Sequence, residues 1–319
     1  MSTPPNITIA CKDAVEKRVH ELRNRDSSIK SRVGPALKGL WNPVKPCAMG
    51  ADSQVFEDLA YRFPNFIEVI HYWKSVAMVS RKTHQPFESQ PILLGGPPGL
   101  GKTYFAAEAA KAMGLHFEEM SMATMTAGFM ISGMNLQWAE GSPGFVASSL
   151  AKSNMANPML LFDEIDKVSD SRYSPLGAFY TLFERHSAKR FKDEALEIEL
   201  DASHVVWVAT ANEVSHIPEP LLSRMKYFEI RKPDTSAMLN IIHNIYQIIL
   251  KESTYGCLLD EQLPEETLDI LIEFEPRSAK KLLEEACIRA ISVDRSMVTS
   301  KDVNLITLPK KPSIGFIGA

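Results

Sequence analysis

The run Ile92-Leu93-Leu94-Gly95-Gly96-Pro97-Pro98-Gly99-Leu100-Gly101-Lys102-Thr103 limits what this chain can fold into more than any other stretch. It reads as an apolar strand, a glycine-rich turn and a helix continuing to about Met113. From Gly96 the spacing is G-x-x-x-x-G-K-T, a phosphate-binding loop, in which backbone N–H groups cradle phosphates, a lysine reaches the outer ones and a threonine hydroxyl sits on magnesium. Gly99 and Gly101 let the backbone curl around an anion, and the helix after them aims its positive end at the same charge. Gly96, Pro97, Pro98, Gly99, Leu100, Gly101, Lys102 and Thr103 are therefore expected to hold a nucleotide. A bare Gly/Pro turn would not need the flanking strand and the alanine-rich helix, and both are present.

A second run, Met159-Leu160-Leu161-Phe162-Asp163-Glu164-Ile165-Asp166, is apolar enough for a strand buried on both faces and ends in acids. Downstream of a phosphate loop it looks like a Walker B element. In that chemistry Asp163 holds the magnesium shell together with Thr103, and Glu164 orients or deprotonates the attacking water. Val205 to Thr210 is another buried strand, followed by Ala211-Asn212. An amide at the carboxyl end of a parallel strand projects into the ligand crevice, so Asn212 is a candidate to hold that water, although it is equally an ordinary turn residue.

The 319 residues suit two domains, and a hydrophobic content of 45% suits an ordinary globular protein. Met1 to Ala10 lacks a basic head followed by an apolar run, so no secretory leader is expected, and no stretch is long and apolar enough for a membrane span. Cys11, Cys47, Cys257 and Cys287 are scattered, which disfavours zinc and suits buried, reduced thiols in the cytoplasm. Residues 1–45 carry nine Lys/Arg against four Asp/Glu, a local +5 that leaves −9 for the rest. Such a basic arm can touch nucleic acid or an acidic partner, or be a solvated helix of mixed charge.

Residues 11–32 read as a charged helix, 32–52 as a Gly/Pro-punctuated linker with Trp41 as a surface anchor, and 55–83 as a helical region broken at Phe63-Pro64-Asn65-Phe66. The segment Thr124 to Gly144 mixes Gly and Ser with Phe129, Met130, Met134 and Trp138, the composition of a functional or disordered loop. Pro175 to Ser187 is expected to be helical, and Leu196 to Leu200 alternates like an exposed strand. Beyond Pro233 the chain turns helical. The expected division is a basic helical arm and linker (1–54), a nucleotide-binding α/β domain (55–232), a helical lid (233–308) and a loose tail (309–319).

In the order Gly96-Pro-Pro-Gly-Leu-Gly-Lys-Thr103, Leu161-Phe-Asp-Glu-Ile-Asp-Lys167, Val208-Ala-Thr-Ala-Asn212 and Ile217-Pro-Glu-Pro-Leu-Leu-Ser-Arg-Met225, the chain resembles an AAA+ ATPase. It most resembles the ATPase module of the Lon protease family, over about residues 55–305. The resemblance implies a P-loop NTPase parallel sheet with a helical lid, with ATP and Mg2+ as ligands. It implies that Asn212 is sensor 1, that Arg224 is an arginine finger reaching a neighbouring subunit and that Arg277 is the sensor 2 arginine, with Lys280 and Lys281 nearby. Phe63 and Phe66 are either adenine contacts or core aromatics. Leu136 to Gly144 resembles the Lon loop that carries an aromatic into the central pore of a ring, with Trp138 in the aromatic position. An amphipathic ring there can grip any extended polypeptide, and burial against its own subunit is the alternative.

Lon proteases continue into a serine–lysine peptidase domain, whereas only a few residues follow the lid in this sequence. The expectation is therefore a hexameric ATP-driven remodeller of polypeptides without its own protease activity, with a separate peptidase or adaptor as a candidate partner. The competing expectation is a nucleotide-switched assembly factor that binds nucleic acid or a protein complex through its amino-terminal arm, with steep salt dependence. That arm lacks the aromatic–basic interleaving of single-strand binders.

Overall fold

The computed structural model describes residues 4–125, 127–168 and 174–307, so the expected tail 309–319 lies outside the described residues. The chain forms two compact units. The first comprises residues 4–60, 66–98 and 102–231, and the second 61–65, 99–101 and 232–307.

The strands are β1 (Asn6–Thr8), β2 (Val44–Pro46), β3 (Ile92–Gly95), β4 (Phe117–Ser121), β5 (Met159–Asp163), β6 (Phe191–Lys192), β7 (Glu199–Leu200), β8 (Val206–Ala211) and β9 (Lys226–Glu229). Five of them make one parallel sheet in the order β4-β5-β8-β3-β9. The register sets Leu94 opposite Thr210 and Leu161 opposite Val208. The three inner strands are buried along their whole length except at Asp163, which is why they read as unbroken apolar runs. Their carboxyl ends, Gly95, Asp163 and Ala211, meet at one edge, where a parallel sheet presents its ligand crevice.

Helices α1 (Lys12–Glu21), α2 (Ser27–Leu40), α3 (Ser53–Arg62), α4 (Ile67–Thr83), α5 (Lys102–Ala112), α6 (Phe129–Ser132), α7 (Phe145–Lys152), α8 (Leu176–Leu182), α9 (Arg185–Ala188) and α10 (Glu219–Leu222) precede Arg231. Phe66 stacks on Phe105 of α5 with ring centroids 4.1 Å apart, and Trp73 of α4 stacks on Phe105 from 5.9 Å. Phe66 is thus a core aromatic beneath the phosphate-loop helix. On the other side, Phe162 stacks on Trp207 and meets Phe179 edge-on.

The amino-terminal segment is not the solvated arm its charge suggests. Ile9, Val15, Leu22, Val33, Leu37 and Leu40 are buried in the same core as Leu93, Leu160 and Trp207. The expected linker after Arg32 is helix as far as Leu40, with Pro35 inside it, because Val33, Ala36, Leu37 and Leu40 repeat at helical spacing. Gly39 allows α2 to lie directly on α7: a Cβ there would come within 2.3 Å of the Ala151 carbonyl oxygen. The same carbonyl end of α7 is capped by buried Lys45, whose Nζ donates to Leu150 O at 2.6 Å, Ala151 O at 3.3 Å and Ser153 O at 2.5 Å. Burial pulls that ammonium down to about 8. Trp41, the expected anchor, is 48% exposed.

Two smaller expectations are also corrected. Leu196 to Leu200 does not run as one exposed strand, because Glu197 takes φ +57° and only Glu199–Leu200 pairs, with Phe191–Lys192. Leu196, Ile198 and Leu200 are buried. Cys47 and Cys287 are buried with thiols pushed up to about 12, chiefly by burial, but Cys11 and Cys257 are exposed.

The second unit is built on α11 (Thr235–Glu252), α12 (Glu265–Leu271), α13 (Pro276–Ser292) and α14 (Ser300–Thr307). Asp234 caps α11 by accepting from Ala237 N at 2.8 Å. Met238, Ile242, Tyr246, Leu271, Leu283 and Ala286 form its core, and buried Tyr246 donates to Asp260 O at 2.6 Å. Asp302 accepts from the N–H and the Oγ1 of Thr299 at 2.9 and 2.7 Å, which ties down the start of α14.

Candidate nucleotide site

The phosphate loop leaves β3 at Gly96, whose φ of +149° and 2.2 Å clearance from a built Cβ to Ile230 O admit no side chain. Its N–H donates to Ala211 O at 3.1 Å, so the loop starts anchored to the end of β8. Gly99 and Gly101 take φ +87° and +83°. A Cβ on Gly101 would meet nothing within 4 Å, so the loop is open there, as an anion cradle requires.

Lys102 and Thr103 open α5 and turn to opposite partners. Lys102 Nζ donates to Gly96 O at 2.6 Å, Pro97 O at 2.9 Å and Asn212 Oδ1 at 3.0 Å. Burial lowers the pKa of this ammonium, while the carboxylates of Asp163, Asp166 and Glu164 push it back up. Thr103 Oγ1 donates to Asp163 Oδ1 at 2.7 Å. This pairing of hydroxyl and carboxylate oxygens is a donor set that fits magnesium, a hard cation.

Thr210 donates to the same Asp163 oxygen at 2.6 Å, and its own oxygen accepts from Glu164 N at 2.9 Å. Glu164 sits at φ +57°, a left-handed conformation uncommon outside glycine, and that turn carries its carboxyl back toward β8. There Asn212 Nδ2 donates to Glu164 Oε1 at 3.3 Å. Buried Asp166 in turn accepts from Asn212 N at 3.2 Å and Glu213 N at 3.3 Å. The expected residues Lys102, Thr103, Asp163, Glu164 and Asn212 therefore form one hydrogen-bonded cluster at the strand ends.

Residues 92–232 match the AAA family, the ATPase family associated with various cellular activities. This stretch is an AAA domain. A Lon protease of Mesomycoplasma hyopneumoniae (strain 232) is 35% identical over 197 residues, 60% of this chain and 22% of that protein. The peroxisomal Lon protease homolog 2 of Spinacia oleracea is 30% identical over 242 residues, 72% of this chain and 27% of that protein. The chain thus spans about a quarter of the length of these Lon proteases, over their AAA region. In fold it is similar to Hsp104 solved in a closed state with ATPγS and FITC casein, with a TM-score of 0.62 at 14% identity over 88% of this chain and 56% of that one. The stretch that matches this ATPase family is built on a parallel sheet, and among the described residues no helix is long and apolar enough to cross a membrane.

The remaining expected residues, Trp138, Arg224 and Arg277, lie on other segments, and Arg277 N donates to Gly99 O at 3.2 Å. Trp138 of the AAA domain is 68% exposed, which removes burial against its own unit. Its loop is tied at the base: Met134 N donates to Ser142 O at 2.9 Å and Gly144 N to Asp193 Oδ2 at 2.8 Å. Asp193 is wholly buried and also accepts from Ala195 N at 3.0 Å and Leu196 N at 2.8 Å. Arg32 of α2 donates to the carbonyl of Ala139, beside Trp138. Arg224 follows α10, with its guanidinium 5.2 Å over the Tyr180 ring and Nε 3.6 Å from Glu184. Arg277 lies in the second unit, exposed in the first turn of α13 where the helix dipole opposes a cation.

Thr210, Asp166 and Asp193 escape the sequence reading. The first had a signal, a hydroxyl two residues before Asn212 and so on the same face of an otherwise apolar strand. Asp193 had none for its hold on the Trp138 loop, since Gly144 lies 49 positions away, although its other donors, Ala195 and Leu196, are close in sequence.

Proposed function

We propose that the chain hydrolyses ATP with magnesium at the Lys102–Asp163–Asn212 cluster and uses the cycle to pull or remodel polypeptides as a homo-oligomeric ring. In this reading Thr103 and Asp163 hold the metal, which when bound neutralises phosphate charge. Lys102 supplies positive charge to the outer phosphates. Glu164, held by Asn212, takes the proton of the attacking water. Arg224 acts on a neighbouring subunit's nucleotide, and Arg277 serves as the lid arginine.

The observation that carries the remodelling part is Trp138: a large aromatic left 68% exposed at the tip of a loop whose base is pinned to a buried carboxylate. Keeping an indole in water forgoes about 1.5–3 kcal/mol of burial, as for other large apolar side chains, which suits a surface made to touch something else. The similarity to Lon proteases supports the same reading. The nucleic-acid alternative loses ground, because Arg18, Arg32 and Lys45 of the basic segment already donate to backbone carbonyls.

The test is a parallel assay of ATP hydrolysis and of unfolding of a fluorescent substrate protein with a disordered tail. Trp138→Ala should keep ATP turnover and lose unfolding; equal unfolding by the variant would end the pulling role. Mixing Glu164→Gln with Arg224→Ala subunits should recover part of the hydrolysis if the arginine works between subunits, and flat activity at every ratio would assign it to its own chain.

A further inference from the structure

Helices α1 and α2 leave a groove of about 730 Å³ between them that the nucleotide chemistry does not use. Leu22, Val33 and Leu37 give it an apolar floor, and Trp41, 48% exposed, lines it as well. Nothing lies within 4 Å of where a Cβ on Gly34 would be, so the groove reaches the backbone of α2 itself. Arg23, Lys30 and Lys38 stand exposed among its lining residues, and no Asp or Glu lines it. The cations of this segment that are engaged elsewhere, Lys12, Lys17, Arg18, Arg32 and Lys45, do not line the groove.

We propose that this groove docks an acidic amphipathic helix of a partner protein. Leucine or phenylalanine side chains of that helix fill the apolar floor, and its carboxylates face Arg23, Lys30 and Lys38. An apolar concavity with charge of one sign at its edge fits such a helix better than nucleic acid, since phosphates gain nothing from a leucine-lined floor. Residues 308–319 of this chain are poor occupants by charge, as they contain Lys310 and Lys311 and no acid.

The test uses the full chain and a fluorescein-labelled synthetic helix of Leu, Phe, Ala and Glu, with a counterpart in which every Glu is Lys, followed by anisotropy. The acidic peptide should bind and the basic one should not. Trp41→Ala and the pair Lys30→Glu/Lys38→Glu should each weaken the acidic peptide about tenfold or more, with circular dichroism and ATP turnover unchanged. The charge-reversed pair should gain affinity for the basic peptide. Equal binding of both peptides, or no response to these exposed-residue variants, would overturn the proposal. So would displacement of the peptide by duplex DNA at low salt. A change in particle mass on charge reversal, without peptide binding, would assign the groove to a second copy of the chain and overturn it too.

Discussion

Lys102 Nζ donates to the side-chain oxygen of Asn212 across 3.0 Å, joining the phosphate loop to the end of β8. The other end of that amide donates to Glu164. In the proposed function one residue therefore aligns both the cation assigned to phosphate and the carboxylate assigned to water. Asn212→Ala should lower the turnover number for ATP by about 10²-fold while changing nucleotide affinity much less, because alignment of a general base is felt chiefly in the transition state. Phosphate-release kinetics beside a nucleotide titration would check this.

Thr210→Val keeps shape and removes the hydroxyl that bridges Asp163 Oδ1 and Glu164 N. The Glu164 N–H loses its acceptor, which should cost about 1–3 kcal/mol. Urea denaturation should show the loss, ATP turnover should fall with it, and Thr210→Ser should restore both.

Asp193→Asn is nearly isosteric, but an amide has one acceptor oxygen where Asp193 uses two, Oδ2 for Gly144 and Oδ1 for Ala195 and Leu196. One side must be released. Limited proteolysis should then cut within 134–142 markedly faster than in the parent, with the AAA sheet intact by circular dichroism.

Asp302 ties Arg295 to the start of α14, and those hydrogen bonds hold its carboxyl down to about 2. A depressed carboxylate stabilises the fold fully above its unfolded value of about 3.9, and that stability is lost as the pH falls from there toward 2. The loss should approach ~2 kcal/mol before screening at the half-buried Arg295. Acid titration of stability, compared with Asp302→Asn in which this component is absent throughout, measures it.

The inner sheet and the phosphate loop were legible because burial on both faces leaves unbroken runs such as Ile92 to Leu94 and Met159 to Phe162, and because the loop spacing has one dominant use. The amino-terminal segment was not. Most of its charges lie on the outer face of α1 and α2, while Val15, Leu22, Val33 and Leu37 turn inward, and a local count of Lys and Arg cannot register that division. Pro35 and the glycines on either side read as a linker, yet Gly39 is there for contact with Ala151, a neighbour more than a hundred positions away. Capping by Lys45 is similarly long-range: its buried ammonium answers carbonyls that a helix end exposes only after folding.

The left-handed backbone at Glu164 bears on what this position is for. Glycine adopts that conformation freely, whereas a residue with a Cβ is held there against roughly 1 kcal/mol of steric preference. At this one site folding and chemistry pull in opposite directions. A Glu164→Gly chain would relax the turn and, under the proposed function, give up its proton acceptor, so a more comfortable backbone would belong to the form expected to be inactive.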